Sequence, residues 1–179
     1  MNSKTLYFVN LFCSILFFCF SCQHKDQEKH TSNALTSDQQ AVKITIEQLF
    51  QALYDGDSTK AKMAFVDSAR LYTIFATNDS TVIKEGKLQQ FIHAIGSPHD
   101  FQWIEKSWDY KISIDGVFAQ AWCSYAFFAG ERFSHCGVDA FHLVKQNHRW
   151  RIFSLADTRR KDDCLFPKGD FSEPKASSK

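Results

Sequence analysis

The chain has 179 residues, with 21 Lys+Arg against 20 Asp+Glu and a formal net charge of +1. So even a balance offers no basic face for nucleic acid, which is excluded as an expected partner. Eighteen phenylalanines and 4 tryptophans are too many for a solvated, disordered chain and fit one domain with a sizeable aromatic core or an apolar pocket.

The chain opens with "MNSKTLYFVNLFCSILFFCFSC", in which Lys4 precedes an uncharged apolar run from Leu6 to Phe20. That is the order of a secretory signal, and the run is short for a membrane span, which needs roughly 20 apolar residues. It ends at Ser21-Cys22, after which "QHKDQEKHTSN" is polar. A small residue before a cysteine at that place resembles a bacterial lipoprotein processing site. The resemblance implies cleavage before Cys22, lipid on its sulfur, membrane attachment through that lipid, and residence in the cell envelope as an outer-membrane lipoprotein. Lys25, Asp26 and Glu28 resemble the charged tag of surface-exposed lipoproteins of Bacteroidetes-type bacteria. Residues 1–21 are therefore expected to be the signal peptide and residues 22–36 the lipidated cysteine and a polar linker. Loss of Lys4 would leave 20 basic and 20 acidic residues.

The expected domain, residues 37–164, opens with a helix. Thr36 or Ser37 can cap it, each with a glutamine three residues on. Val42, Ile46, Leu49, Phe50 and Leu53 form one apolar stripe, and Asp55-Gly56 stops it. A short helix follows from Ser58, with Ala61, Ala64 and Phe65 on one side. "ARLYTIFATNDSTVIKEG" predicts a hairpin around Asn78-Asp79-Ser80. "KLQQFIHAIGSP" predicts a third helix with Leu88, Phe91, Ile92 and Ile95 inward. From Phe101 to Thr158 the pattern is strand after strand with short connections at Asp115-Gly116, Ala129-Gly130 and "KQNHR". The expectation is an α+β fold, three helices packed on a long curved antiparallel meander. Residues 165–179 are charged and carry Pro167 and Pro174; they are expected to be a disordered tail.

This order of elements resembles the nuclear transport factor 2-like, or SnoaL-like, cone fold. The stretch "FSHCGVDAFHLVKQNHRWRIFSLADTRRKDDC" resembles the end of a bacterial branch labelled "putative lumazine-binding", through its GVDAFxLV strand, its WxI strand and Ala156-Asp157-Thr158-Arg159-Arg160. The resemblance covers about Gln39 to Cys164. It implies a fold and not a chemistry, since the fold hosts isomerases, cyclases, dehydratases and proteins without activity.

If Ala129-Gly130 is a two-residue turn, position 128 faces 131 and Cys123 falls opposite Cys136, within disulfide reach. If the next turn is centred near Asn147, Cys136 faces Thr158, and Cys164 could fold back onto it. The tail of the resembled family carries both Cys136 and Cys164, which implies that pair. Three reduced thiols are the remaining alternative. In the same register His135 and Asp139 share a face with Gln120, Trp122 and Ser124 of the neighbouring strand. Asp157 points the same way, and Arg159 lies opposite His135. A one-residue slip in the last turn would send Asp157 and Arg159 to the other face.

Trp122, His135, Asp139, Phe141, Asp157 and Arg159, with Tyr72 and Trp103, thus become the candidate walls of a pocket for a small apolar or aromatic molecule. Binding without catalysis is the leading expectation. The alternative is an isomerase or dehydratase with Asp139 or Asp157 as general base, His135 relaying a proton, and Tyr72, Tyr110 or Tyr125 polarising a carbonyl. A third is an interaction module forming a homodimer through the outer sheet face, with Val117, Ala119, Ala121, Val138 and Ala140 as candidates. No metal-ligand spacing occurs and no cofactor is expected.

Overall fold

A computed structural model describes residues 34–167. The expected signal peptide, the expected lipidation at Cys22, most of the expected linker and the tail from residue 168 lie outside the described residues.

Helix α1 (Ser37–Asp55) starts at Thr36, whose hydroxyl accepts from the Gln39 N–H while the Gln39 side chain accepts from the Thr36 N–H. It stops at Gly56, where φ is +66° and a side chain would be strained. Helix α2 (Ser58–Met63) is capped by Asp57. Strands β1 (Phe65–Ala76) and β2 (Thr81–Lys87) form the hairpin, and α3 (Leu88–Gly96) follows. The long strands are β3 (Trp103–Asp115), β4 (Phe118–Ala129), β5 (Arg132–Gln146) and β6 (Arg149–Thr158).

All six strands join one sheet in the order β2-β1-β6-β5-β4-β3. The meander β3 to β6 is antiparallel as expected, but β1 runs parallel to β6. The sheet is therefore mixed. The hairpin extends its edge, because the long excursion through α3 and the meander brings β6 back alongside β1 in the same direction.

The α1 stripe packs on one sheet face. Val42, Ile46, Leu49 and Leu53 join Ala119, Ala121, Phe141, Leu143 and Ile152 in a single buried cluster. Phe50 meets Phe141 edge to face at 6.2 Å. Each such side chain taken fully out of water contributes roughly 1.5–3 kcal/mol.

The strand registers differ from the expected ones. The β4–β5 turn is Gly130-Glu131, with Ala129 opposite Arg132, and Ser134 is an extra residue between the pairs Phe128–Phe133 and Phe127–His135. Cys123 consequently faces Asp139, and Cys136 faces Ala126. The Cys123–Cys136 alternative is excluded by this shift: Cys123 is a buried free thiol, and Cys136 is joined to Cys164 in a disulfide.

The shift also reverses which faces β4 and β5 share. Ala119 and Ala121 lie in the core, not on an outer face with Val138 and Ala140. The partners of Val138 and Ala140 are Ser124 and Trp122. Val117 sits in the β3–β4 turn. The face remote from α1 is thus built from Phe118, Trp122, Val138, Ala140, His142 and Phe153. Its rings Phe118, His142 and Phe153 lie against one another at 5.7–6.2 Å.

Candidate functional site

Between α1, α3, the hairpin and the helix-covered sheet face lies an open cavity of about 640 Å3. Leu49, Phe50, Leu53 and Phe91 supply the helical wall, and Leu71, Tyr72 and Thr73 the hairpin wall. Trp103, Phe127 and Leu155 line the sheet side, where Glu105, Tyr125, His135, Asp139, Asp157 and Arg159 also converge. Lys84, Glu85, Lys87 and Gln90 also line it, and apolar walls with convergent polar side chains are the composition of a small-molecule site.

At its floor Asp139 is only 3% exposed, and its Oδ2 has no hydrogen-bond partner. Glu105, from β3, lies within hydrogen-bonding reach of it. Burial pushes the Asp139 carboxyl well above the usual range, and the neighbouring Glu105 charge pushes it further. Burial likewise lifts Glu105, to about 7, with Asp157 adding to the rise and a hydrogen bond from Asp139 opposing it. Two carboxyls held together in a dry site share protons instead of ionising independently. Near neutrality Asp139 keeps its proton and donates it toward Glu105.

Asp157 is differently placed. Its Oδ1 accepts from Thr73 Oγ1 at 2.7 Å, and its Oδ2 from Arg159 Nε at 2.6 Å; the one Tyr125 O–H is shared between the Thr158 carbonyl at 2.9 Å and Asp157 Oδ2 at 3.2 Å. Thr73 lies on β1, Tyr125 on β4 and Arg159 just past the end of β6, so Asp157, itself on β6, ties three strands together and has little lone-pair capacity left for a ligand. Burial and the Asp157 charge push the Tyr125 phenol up, keeping it a neutral donor. His135 stacks on Phe127 at 5.2 Å, and its Nδ1 lies 2.9 Å from Ser134 Oγ. Burial, assisted by Arg159, lowers its pKa to about 4, so the ring is neutral at pH 7.

The structure brings together Tyr72, Trp103, His135, Asp139, Asp157 and Arg159 of the expected wall. It leaves out two. Trp122 pairs with Ala140 on the opposite face and is 48% exposed, because the added residue at Ser134 reverses the alternation. Phe141 is fully buried against Phe50, in the core and not at the cavity surface. Arg159 falls opposite Gly137 in place of His135, since its neighbour Arg160 bridges Cys136. Tyr110 turns its hydroxyl to Ser107 at 2.7 Å.

Glu105 is the residue that strand patterning misses. Ile104, Trp108, Ile112 and Ile114 share one parity, which would put Glu105 on the outer face. An extra residue at Asp109-Tyr110 shifts the pairing from Lys111–Trp122 to Trp108–Ser124, so Glu105 faces Phe127 inside. Asp109 has φ +55°, a conformation Asp tolerates better than most residues; Asp109 after Trp108 is the one local hint. Among the described residues no three His, Cys, Asp or Glu side chains are grouped to hold a metal ion.

Comparison with solved structures places the fold. A nuclear transport factor 2-like protein of unknown function from Shewanella baltica aligns over 71% of this chain and 98% of its own, with 20% identity and a TM-score of 0.54. A protein of unknown function with a cystatin-like fold from Nostoc punctiforme covers 72% and 96%, with 15% identity and a TM-score of 0.56. The beta subunit of a "putative aromatic-ring-hydroxylating dioxygenase" from Novosphingobium aromaticivorans covers 69% and 90%, with 17% identity and a TM-score of 0.58. No curated protein matches the chain. The sequence profile described as "Putative lumazine-binding" matches residues 37–156. That match spans more than half of the chain and both halves of the cavity wall, and it makes this protein a member of the "putative lumazine-binding" family, on a nuclear transport factor 2-like α+β fold.

Proposed function

We propose that this chain is the ligand-holding domain of an outer-membrane lipoprotein, tethered to the envelope through lipid on Cys22, and that it binds a small apolar or aromatic molecule without transforming it. The observation that carries the reading is the open cavity itself, walled by Phe91, Trp103, Phe127 and Leu155, with Glu105 and the buried Asp139 paired at its floor. Apolar walls take up a flat or apolar body, and the few inward polar groups orient it. Family membership and the fold support small-molecule binding.

The test is native mass spectrometry of the protein extracted from its own membranes. A co-purifying small molecule present with the wild type and lost with Asp139→Ala supports the reading; an empty wild-type cavity refutes it. The tether has its own check. Cys22→Ser should move the protein from the membrane to the soluble fraction, and continued membrane association would disprove lipid anchoring.

One observation favours a second reading. Burial holds both carboxyls of the Glu105–Asp139 pair above their usual range, Glu105 at about 7, and a raised carboxyl beside a second one is the arrangement a general acid–base pair in an isomerase or dehydratase uses. In that case Asp139→Asn would abolish turnover of the co-purifying molecule or its analogues. Asp157, committed to three donors, would position Tyr125 and Arg159 instead of acting as base.

A further inference from the structure

The cavity continues outward into a second depression of about 510 Å3, and Thr73, Lys84, Gly86, Ser134, His135 and Arg159 line both. Its charged lining is Lys84, Arg159, Arg160 and Lys161, with no carboxylate. Arg159 is neutralised by Asp157 at 2.6 Å. Among the described residues neither Lys84 nor Lys161 has an ion-pair partner. The cationic field reaches inward: after burial, Arg159 is the largest influence holding His135 in its neutral form, and Lys161 adds to it against the opposing pull of Asp157.

The segment bearing two of these cations is held at both ends. Arg160 exchanges backbone hydrogen bonds of 2.9 Å with Cys136 in both directions, and four residues later Cys164 is bonded to the Cys136 sulfur. Arg160 and Lys161 are thereby fixed at the cavity mouth before any ligand arrives, which lowers the ordering cost of binding. At the other end, the floor carries Glu105 and the protonated Asp139, and a second anionic group there would meet the Glu105 charge and the burial that already disfavours ionisation. The polarity of the site therefore runs from cationic mouth through apolar walls to an acidic floor.

We infer that the ligand is an amphiphilic organic anion, its flat apolar body among Trp103, Phe127 and Leu155 and its carboxylate, sulfonate or phosphate group at the mouth beside Lys84, Arg160 and Lys161. This rests on the small-molecule reading above and adds the charge and orientation of the ligand.

A matched pair of fluorescent probes tests it: anilinonaphthalene sulfonate, and N-phenylnaphthylamine, which keeps the rings and lacks the sulfonate. The wild type should bind the sulfonate roughly tenfold more tightly at low salt, with the advantage shrinking as salt is raised. The double variant Lys84→Ala/Lys161→Ala should bring the sulfonate to about the affinity of the neutral probe and leave the neutral probe unchanged. Leu155→Trp, with the milder Leu155→Phe as a second filling of the cavity, should weaken both probes. Equal wild-type affinities, or a sulfonate advantage that survives the double variant, overturn the anion inference while the cavity reading stands if the filling variants still weaken both probes. Unaltered binding of both probes to filling variants whose circular dichroism is native would place the probes elsewhere and overturn both.

Discussion

Replacing Asp139 by asparagine should change how stability depends on pH more than stability at any one pH. Unfolded, the Asp139 carboxyl titrates near about 4; folded, burial and Glu105 hold it well above that. A raised carboxyl retains in the native state a proton that the unfolded chain has released. The stability tied to that proton is complete below about pH 4 and is lost as pH rises through the folded value, at about 1.4 kcal/mol per pH unit. Glu105 contributes the same slope up to its folded value of about 7. His135 acts in the other direction. Its folded value is depressed to about 4, so its contribution is complete above roughly 6.5 and lost as pH falls toward 4. Between about pH 5 and 7 the wild type therefore combines two falling contributions and one rising one. The substituted asparagine keeps an N–H donor for Glu105 and removes one of the falling contributions. Relative to wild type the variant should gain stability as pH rises through this range, by no more than about 1.4 kcal/mol per pH unit for the one proton removed. Urea unfolding followed by tryptophan fluorescence at unit pH steps measures this directly. Parallel wild-type and variant curves from about pH 5 to 8 would mean that Asp139 is ionised in the folded protein, and the protonated acid pair would have to be abandoned.

Three further outcomes follow from the packing. Gly137→Ala would place a Cβ only 1.8 Å from the Thr158 carbonyl oxygen; separating β5 from the end of β6 should cost at least about 3 kcal/mol, seen as a collapse of the thermal midpoint. Cys164→Ser opens a disulfide whose cysteines are 28 residues apart and should cost roughly 3.5 kcal/mol by loop entropy, with a urea midpoint matching that of reduced wild type. Phe141→Ala, at a fully buried position, should lower stability by roughly 3–5 kcal/mol while probe binding in the cavity is retained; loss of binding at full folding would return Phe141 to the ligand wall.

The helices were legible because their signals are local. The α1 stripe from Val42 to Leu53 needs no knowledge of the rest of the chain, and the Thr36 cap and Gly56 stop mark its ends within three residues. The Asn78 hairpin and the four long strands were legible for the same reason. What strand periodicity does not contain is which strands adjoin across the sheet, so the parallel β1–β6 pairing had to come from the structure. His135 and Asp139 share a strand and hence a face, which two-residue periodicity settles. The face of Trp122 depends on the pairing between strands, which periodicity along one strand does not contain.

The misplacement of Trp122 and the omission of Glu105 share one cause, and it also explains the site. Each junction of the β3–β6 meander carries one extra residue, and each reverses the alternation set by its turn. The β5–β6 turn, at Asn147 and His148 with both φ positive, pairs Gln146 with Arg149. Continued regularly, that register would set Asp157 opposite Val138 on the outer face. The extra residue at Phe153 shifts it to Asp139. Likewise the β4–β5 turn alone would set Asp139 opposite Trp122, and Ser134 moves it to Cys123. The β3–β4 turn alone would set Glu105 opposite Phe128 outside, and the bulge at Asp109-Tyr110 brings it in beside Phe127. Remove any one bulge, at Asp109-Tyr110, Ser134 or Phe153, with the other two kept, and Glu105, Asp139 or Asp157 respectively turns to the outer face, where it could ionise in water. Three bulges gather them in one dry place, where burial and mutual repulsion cost stability. A fold that retains such a cost at one point, beside an open cavity, has the local irregularity expected of a site arranged for binding and not for packing alone.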